Sequence, residues 1–258
     1  MILWIAAAGG VLGAAGWYLW DQERRRVTTL RERLENASMA LEGLETSFAR
    51  FAPQAVVDRI AASGVPSAPE KKDVTVLFAD IVSFTELAEQ LAPDTLVRIL
   101  NGYFERMSRM ITEHRGHVSK FIGDGILALF GALEGNPWQV NDAVQAALAM
   151  RAELEHYNHE LEAAGLPRLR FGIGIHCGAA IAGVVGSHEL VEFTVIGNTV
   201  NLASRVEHLT RVHGVDILIT RAVQERLAPH FRLRELPAVS VRGVSEPVVT
   251  YAVEAATG

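Results

Sequence analysis

This 258-residue sequence has almost no cysteine and fewer positive than negative charges. Cys177 is its only cysteine, so no disulfide can form within one chain, and a single thiol suits a reducing compartment such as the cytosol. The 24 Lys and Arg residues are outnumbered by 30 Asp and Glu residues, which leaves a formal net charge of −6. That balance argues against binding to bulk nucleic acid, which needs a positive surface, and favours a small ligand.

Hydrophobic residues make up 49% of the chain, enough for one sizeable core and an additional segment. The additional segment is at the start, where residues 1–20 carry no charge and would span roughly 30 Å as a helix, the thickness of a bilayer core. Aromatic residues stand near both of its ends, and Arg24, Arg25 and Arg26 follow it directly. This pattern predicts a single-pass anchor in the inner membrane with the C-terminal part in the cytoplasm. The alternative, a cleaved signal peptide, requires basic residues before the apolar run.

A heptad pattern follows the predicted anchor, within residues 22–52. The apolar positions alternate in steps of three and four, at Val27, Leu30, Leu34, Ala37, Leu41, Leu44, Phe48 and Phe51. A period of 3.5 held this long favours a coiled coil, and therefore a dimer, over a lone amphipathic helix. Two chains entering from the same membrane face would be parallel. Residues 53–72 read as a short helix and a linker that is rich in Gly, Pro and Ser.

Residues 73–254 form the predicted globular domain. The order begins with a buried strand at 74–80, a helical region from Pro93 to near Gly116 and a hairpin at 118–131. A helix at 141–164, a Gly-rich strand pair at 169–186 and a helix at 198–213 follow, and strands at 215–219 and 248–253 complete the domain. This order predicts an α+β, ferredoxin-like fold, a split β-α-β sheet with helices on one face.

Asp80 and Asp124 are the candidate metal ligands. Asp80 ends the first predicted strand, and Asp124 stands at the tip of the hairpin, so the two carboxylates converge if these strands are neighbours. Mg²⁺ prefers such hard oxygen ligands and is held by one or two carboxylates together with substrate phosphates. The residues alone leave a second interpretation open, in which Asp80 caps a helix and Asp124 forms a turn.

Four segments resemble the class III adenylate and guanylate cyclase family, in particular its bacterial membrane-anchored adenylate cyclases. They are FADIVSFT (78–85), KFIGDGILALF (120–130), FGIGIHCGAAIAGVVG (171–186) and TVIGNTVNLASR (194–205). The resemblance extends over about residues 74–253, and the four segments together are highly specific. It implies a catalytic homodimer with sites at the interface, in agreement with the heptads.

The resemblance also implies a role for individual residues. Asp80, Asp124 and the Ile81 carbonyl would bind two Mg²⁺ or Mn²⁺ ions per site. The helix start at Phe84 and Thr85 would hold phosphate oxygens of the nucleotide. Asn201 would orient the ribose, Arg205 would stabilise the transition-state phosphate, and Arg242 would bind a distal phosphate.

Base choice falls to Lys120 and Thr194 in this resemblance. Adenylate cyclases carry Lys at the first position and guanylate cyclases carry Glu; a Lys can only donate, which suits the N1 acceptor of adenine. Thr194 stands where many adenylate cyclases have Asp, and its hydroxyl can accept from the adenine amino group. The expected substrate is ATP, with a guanylate cyclase or an inactive cyclase-like module as alternatives.

The remaining candidates are assigned structural roles. His176 and Cys177 lie on an apolar strand, where packing is expected. His114, His117, His156 and His159 lack a partner set for a metal site and are expected at the surface. No sensor domain is recognisable, so a regulator would act through the membrane span, a membrane partner or a soluble ligand.

Overall fold

The computed structural model describes residues 69–187, 191–241 and 246–256, together with seven isolated helical positions between residues 20 and 39. Within these residues no helix is long and apolar enough to cross a membrane. The predicted anchor at 1–20 and the coiled coil at 22–52 lie almost entirely outside the described residues, as does the segment 53–68. These assignments stay predictions.

The described part of the domain contains eight strands and five helices. In chain order they are β1 (Glu70–Ile81), α1 (Phe84–Gln90), α2 (Pro93–Glu113), β2 (His117–Ile122), β3 (Gly125–Phe130), α3 (Gln139–Ala163), β4 (Phe171–Gly186), β5 (Val191–Ile196), α4 (Asn198–His213), β6 (Ile217–Thr220), α5 (Arg221–Gln224), β7 (Phe231–Glu235) and β8 (Thr250–Ala256).

The strands form one sheet in the order β2-β3-β1-β4-β6-β8-β7, and β5 pairs with β4 outside this path. β1 is antiparallel to both of its neighbours, β3 and β4. Val74, Val76, Leu77 and Ala79 of β1 are fully buried, which confirms the predicted central strand. The predicted hairpin is also confirmed, as β2 and β3.

Alternating residues of the strands face two separate cores, because successive side chains of a strand point to opposite faces. On one face Leu77 and Ile126 pack with Tyr103 and Met150, which belong to α2 and α3. On the other face Val76 packs in a cluster with Ala203 of α4. The fold is a mixed α+β domain. The expected arrangement of helices on one face is correct for α2 and α3, whereas α4 covers the opposite face.

The segment 169–186 was expected to be a strand pair, and this expectation is wrong. Residues Phe171–Gly186 form one strand that pairs with β1 from Phe171 to Ala182 and with β5 from Ile181 to Gly186. A Cβ on Gly174 would lie 2.1 Å from the backbone nitrogen of Glu207, and one on Gly172 would lie 2.2 Å from Thr210 Oγ1. The glycines therefore permit close approach of α4 and do not mark a turn.

Two smaller expectations also differ from the structure. β1 begins at Glu70, so residues 70–72 belong to the sheet and not to the linker; Lys72 Nζ donates to the carbonyl oxygens of Ala132 (2.9 Å) and Leu133 (3.0 Å). His117 is not a surface residue. Its Nε2 is buried, its ring lies 6.4 Å from that of Phe193, and burial lowers the pKa of its imidazole to about 4.

Candidate active site

The structure brings Asp80 and Asp124 together at one end of β1. Asp80 is the penultimate residue of the strand, and Asp124 lies in the turn between β2 and β3, next to Gly123, whose φ is 63°. The backbone N–H of Ile81 donates to Asp124 Oδ2 at 3.2 Å. This bond ties the hairpin turn to the end of the central strand, so both carboxylates reach the same spot, as the sequence predicts.

The two carboxylates repel each other. Burial, and then the negative charge of Asp80, raise the pKa of Asp124 from 3.8 to about 6. A Cβ on Gly125 would lie 3.3 Å from Asp80 Oδ1, so a glycine at this position leaves space beside that oxygen. Two adjacent carboxylates that offer oxygen ligands are a donor set that suits Mg²⁺ or Mn²⁺. No cluster of three or more His, Cys, Asp or Glu side chains is arranged to hold a metal within the described ranges.

The chain turns sharply between the carboxylates and α1. Ser83 has a φ of 58° and a ψ of 35°, a left-handed conformation that is uncommon for a residue with a side chain. The Ser83 hydroxyl does not cap the helix. Phe84 packs its ring against the main core, whereas Thr85 is exposed. At this turn the first-turn backbone of α1, rather than the Phe84 side chain, is what a phosphate can approach.

Asn201 and Arg205 share one face of α4, four residues apart, as predicted. Asn201 is exposed and Arg205 half-buried, and neither side chain has a hydrogen-bond or ion-pair partner among the described residues. Arg211, further along α4, is the residue that reaches Asp80. Arg205 and Asn201 precede Arg211 by six and ten residues, which is roughly 9 Å and 15 Å along a helix axis. Among the described residues, neither side chain is hydrogen-bonded or ion-paired to the two carboxylates.

The predicted base-reading residues form a separate cluster. Lys120 lies on β2 and Thr194 on β5, and Thr194 is 8% exposed. Lys120 Nζ lies 2.6 Å from Glu192 Oε1, which joins these two strands two residues before Thr194. The structure thus separates the predicted residues into two clusters. The carboxylate cluster contains Asp80 and Asp124, and the base cluster contains Lys120 and Thr194.

The sequence gives no sign of Arg211 and Glu207 as site residues. Arg211 donates to Asp80 Oδ2 at 2.6 Å and to Glu207 Oε1 at 3.0 Å. Glu207 has only 3% of its side chain exposed, and burial is the main reason that its pKa rises from 4.5 to about 7. An i, i+4 Glu–Arg pair on a helix is visible in the sequence, but its contact with β1 depends on the close packing of α4 at Gly172 and Gly174.

A cleft of about 1000 Å³ opens beside the turn after β1, and Val82, Ser83, Arg170 and Arg211 are part of its lining. The Val82 N–H donates to the Arg170 carbonyl at 2.8 Å. The Arg170 guanidinium is exposed and has no partner among the described residues, which makes it a further candidate for contact with an anion. The position of Arg170 beside Val82 depends on the pairing of β4 with β1 and is not visible in the sequence. Arg242, the predicted distal phosphate residue, lies outside the described residues.

Comparison with known proteins identifies relatives of this arrangement. Residues 67–255 match the family model described as "Adenylate and Guanylate cyclase catalytic domain". The chain is 38% identical over 220 residues to an adenylate cyclase of Anabaena cylindrica, covering 81% of this chain and 43% of that protein. It is 31% identical over 229 residues to adenylate cyclase 1 of Rhizobium meliloti (strain 1021), covering 88% and 34%. The chain thus spans less than half the length of these two curated relatives.

Solved structures give the same fold. The guanylyl cyclase Cya2 superposes with a TM-score of 0.69 at 33% identity, covering 74% of this chain and 95% of that one. The adenylyl cyclase CyaB from P. aeruginosa superposes with a TM-score of 0.69 at 30% identity, covering 73% and 97%. Both nucleotide specificities are therefore present among the structural relatives.

Proposed function

The chain belongs to the adenylate and guanylate cyclase catalytic domain family, and we propose that it is an adenylate cyclase that converts ATP into 3′,5′-cyclic AMP and pyrophosphate. The observation that carries the proposal is the convergence of Asp80 and Asp124 at Ile81. The adenylate cyclase names of the two curated relatives support it. A domain that had lost turnover would be expected to lack at least one of the candidate residues, and this chain keeps them all.

In the proposed reaction the ribose 3′-hydroxyl oxygen forms a bond to the α-phosphorus, and the bond from that phosphorus to the bridging oxygen breaks. Pyrophosphate leaves, and the hydroxyl proton passes to water. Asp80, Asp124 and the Ile81 carbonyl would hold two Mg²⁺ or Mn²⁺ ions per site, which lower the pKa of the 3′-hydroxyl and neutralise phosphate charge.

The remaining residues bind and orient the nucleotide in this proposal. Lys120 donates to N1 of adenine, and the Thr194 hydroxyl accepts from its amino group. Asn201 orients the ribose, and the Arg205 guanidinium donates to the transferring phosphate, where its fixed charge stabilises the transition state. The backbone at Phe84 and Thr85, with Arg242, binds the distal phosphates.

We infer that the active form is a homodimer whose sites are shared. Asp80 and Asp124 of one protomer would face Lys120, Thr194, Asn201 and Arg205 of the other. The distance along α4 from Arg211 to Asn201, roughly 15 Å, supports this, because one protomer separates the two groups of residues. Exposed Ile181, Val185 and Ile196 on the β4–β5 hairpin provide apolar surface for a second chain.

The proposal also includes the N-terminal part of the chain. Residues 1–20 would anchor the protein in the cell membrane with the catalytic domain in the cytoplasm, and residues 22–52 would pair two chains as a parallel coiled coil. Its regulator, a membrane partner or a soluble ligand, is not identified. If the coiled coil sets how the catalytic domains face each other, insertion of one to three residues near Ala37 alters cyclase activity. Unchanged activity across all three insertions contradicts this coupling.

The function is tested by product formation from ATP and GTP with Mg²⁺ or Mn²⁺. The wild type is expected to make cyclic AMP, and Asp80→Ala to lose turnover. Full activity in Asp80→Ala would overturn the proposal.

A guanylate cyclase is the second candidate, and Glu192 is the observation that favours it. This carboxylate beside Lys120 is able to accept from the N1–H and amino group of guanine. Preferential formation of cyclic GMP by the wild type would establish this alternative.

A further inference from the structure

Arg211 places a positive charge directly beside the carboxylate of Asp80. Its Nη2 donates to Asp80 Oδ2 at 2.6 Å, and the two side chains are 34% and 30% exposed. The other oxygen of Asp80 faces the hairpin, 3.3 Å from where a Cβ of Gly125 would stand. Asp80 Oδ1 therefore lies toward the hairpin that carries Asp124, and Asp80 Oδ2 accepts a hydrogen bond from the Arg211 guanidinium.

Glu207 gives the same guanidinium a second partner. Its Oε1 lies 3.0 Å from Arg211 Nη1, one helical turn away on α4, and its side chain is almost fully buried. The opposite oxygen of Glu207 is 3.1 Å from His208 Nδ1. α4 packs closely against β4 at Gly172 and Gly174, so we expect Glu207 to stay in place whether or not Arg211 also holds Asp80.

We propose that Arg211 is a positioning residue that serves as the resident counter-cation of Asp80, which a divalent cation displaces, and that Glu207 retains the guanidinium after the displacement. This inference rests on the proposed metal-binding role of Asp80. A guanidinium has only donors and a fixed positive charge, so it neutralises a carboxylate but cannot share an oxygen with a metal ion without repulsion.

Substitution of Arg211 and substitution of Glu207 should change the affinity for Mn²⁺ in opposite directions. In Arg211→Gln the competing charge is gone, so Mn²⁺ binds more tightly. In Glu207→Gln the alternative partner keeps an acceptor but loses its negative charge, so the guanidinium holds Asp80 more firmly and Mn²⁺ binds more weakly. Half-exposed ion pairs have modest strength, so each shift in Kd is expected to be about threefold to fivefold.

Mn²⁺ binding to the 258-residue chain, followed by the electron paramagnetic resonance signal of free Mn²⁺, tests the inference without any turnover. The melting temperature is measured in parallel. Arg211→Gln should melt lower than the wild type without metal but gain more from Mn²⁺. A purely structural role would lower the melting temperature equally with and without metal and leave Kd unchanged.

Arg226→Gln is the matched control. It breaks an equally direct Arg–Asp pair, with Asp73, seven residues before Asp80 and therefore about 23 Å away along β1. Its Mn²⁺ affinity should equal that of the wild type. An Arg211→Gln chain that binds Mn²⁺ equally or more weakly overturns the inference, provided that Asp80→Asn reduces binding. If Asp80→Asn binds Mn²⁺ as the wild type does, the metal-binding role of Asp80 is itself wrong, and the inference fails with it.

Discussion

Lys120 Nζ lies 2.6 Å from Glu192 Oε1, and this ion pair joins β2 to β5 next to Thr194. The predicted base-reading lysine is therefore already engaged by a carboxylate. The Lys120 ammonium has three N–H donors, so a purine that accepts from it must share it with Glu192. We therefore expect Glu192 to take part in setting both the affinity for the base and the choice between adenine and guanine.

Charge reversal at Lys120 tests this arrangement. Lys120→Glu places two carboxylates opposite each other and removes the donor to adenine N1, so kcat/KM for ATP should fall about tenfold to a hundredfold, the scale of one charged hydrogen bond. The ratio of GTP to ATP turnover should rise. Steady-state kinetics with both nucleotides measure the change, and Arg98→Glu on the exposed side of α2 is the charge-reversal control. A ratio that moves equally in both variants would show that Lys120 does not read the base.

Substitution of Glu192 should act in the opposite sense. Glu192→Gln keeps an acceptor for Lys120 but removes the negative charge, so the ammonium is more available to adenine and guanine loses an acceptor. KM for ATP should fall about threefold, and GTP turnover should decrease. The same kinetics measure both values. A rise in GTP turnover in this variant would contradict the role assigned to the carboxylate.

Close packing of α4 on β4 is tested at Gly174. A Cβ there would lie 2.1 Å from Glu207 N and 2.6 Å from Ala203 O, both backbone atoms that cannot rotate away. Gly174→Ala should reduce the free energy of unfolding by about 3 kcal/mol, as overpacking does. Urea denaturation measures it. Gly135→Ala is the control, because a Cβ at that position meets nothing within 4 Å, and its effect should stay within about 0.5 kcal/mol.

Glycine explains why parts of the fold could be predicted and others could not. At Gly123 the sequence indicates a turn between two apolar runs, and the structure has one, because a φ of 63° is needed there. At Gly172 and Gly174 the same residue permits the approach of a helix from the other end of the domain, and local sequence carries no information about that approach. The predicted strand pair was wrong for this reason.

The candidate site shows the same division. Asp80 and Asp124 each end a recognisable local element, so their convergence required only that β1 and β3 be neighbours. Arg211 contacts Asp80 across 131 residues of sequence, through the packing of α4 on β4. Lys120 was predicted as a donor to a base, but its pairing with Glu192 depends on how β5 folds back beside β2.

Acid should destabilise the domain through His176. Burial lowers the pKa of this imidazole from 6.5 to about 4, and Nδ1 is 2.8 Å from Thr220 Oγ1. Because the folded pKa is depressed, the unfolded chain takes up the proton first. The stabilising contribution of neutral His176 is therefore complete above pH 6.5 and is lost as the pH falls toward 4, with about 1 to 2 kcal/mol lost at pH 5.

His176→Gln removes this titration and can keep a hydrogen bond to Thr220, so its free energy of unfolding should fall less between pH 7.5 and pH 5 than that of the wild type. Urea denaturation at both pH values measures the difference. His156→Gln, at a position with 70% of its side chain exposed on α3, is the control and should behave as the wild type. An unchanged pH dependence in His176→Gln would contradict this assignment.

Sharing of the site between two protomers predicts complementation. Asp80→Ala lacks a carboxylate and Arg205→Ala lacks the guanidinium on α4, so each variant alone should be inactive. A mixed dimer of the two has one site in which Asp80 of one chain faces Arg205 of the other, both intact, and one site that lacks both. Random pairing makes half of the dimers mixed, so co-expression should restore about a quarter of wild-type activity.

Co-expression of Asp80→Ala with Asp124→Ala is the control, because both substitutions fall in the same group of residues and every site stays defective. If this control recovers as much activity as the first pair, the two groups of residues do not come from different protomers.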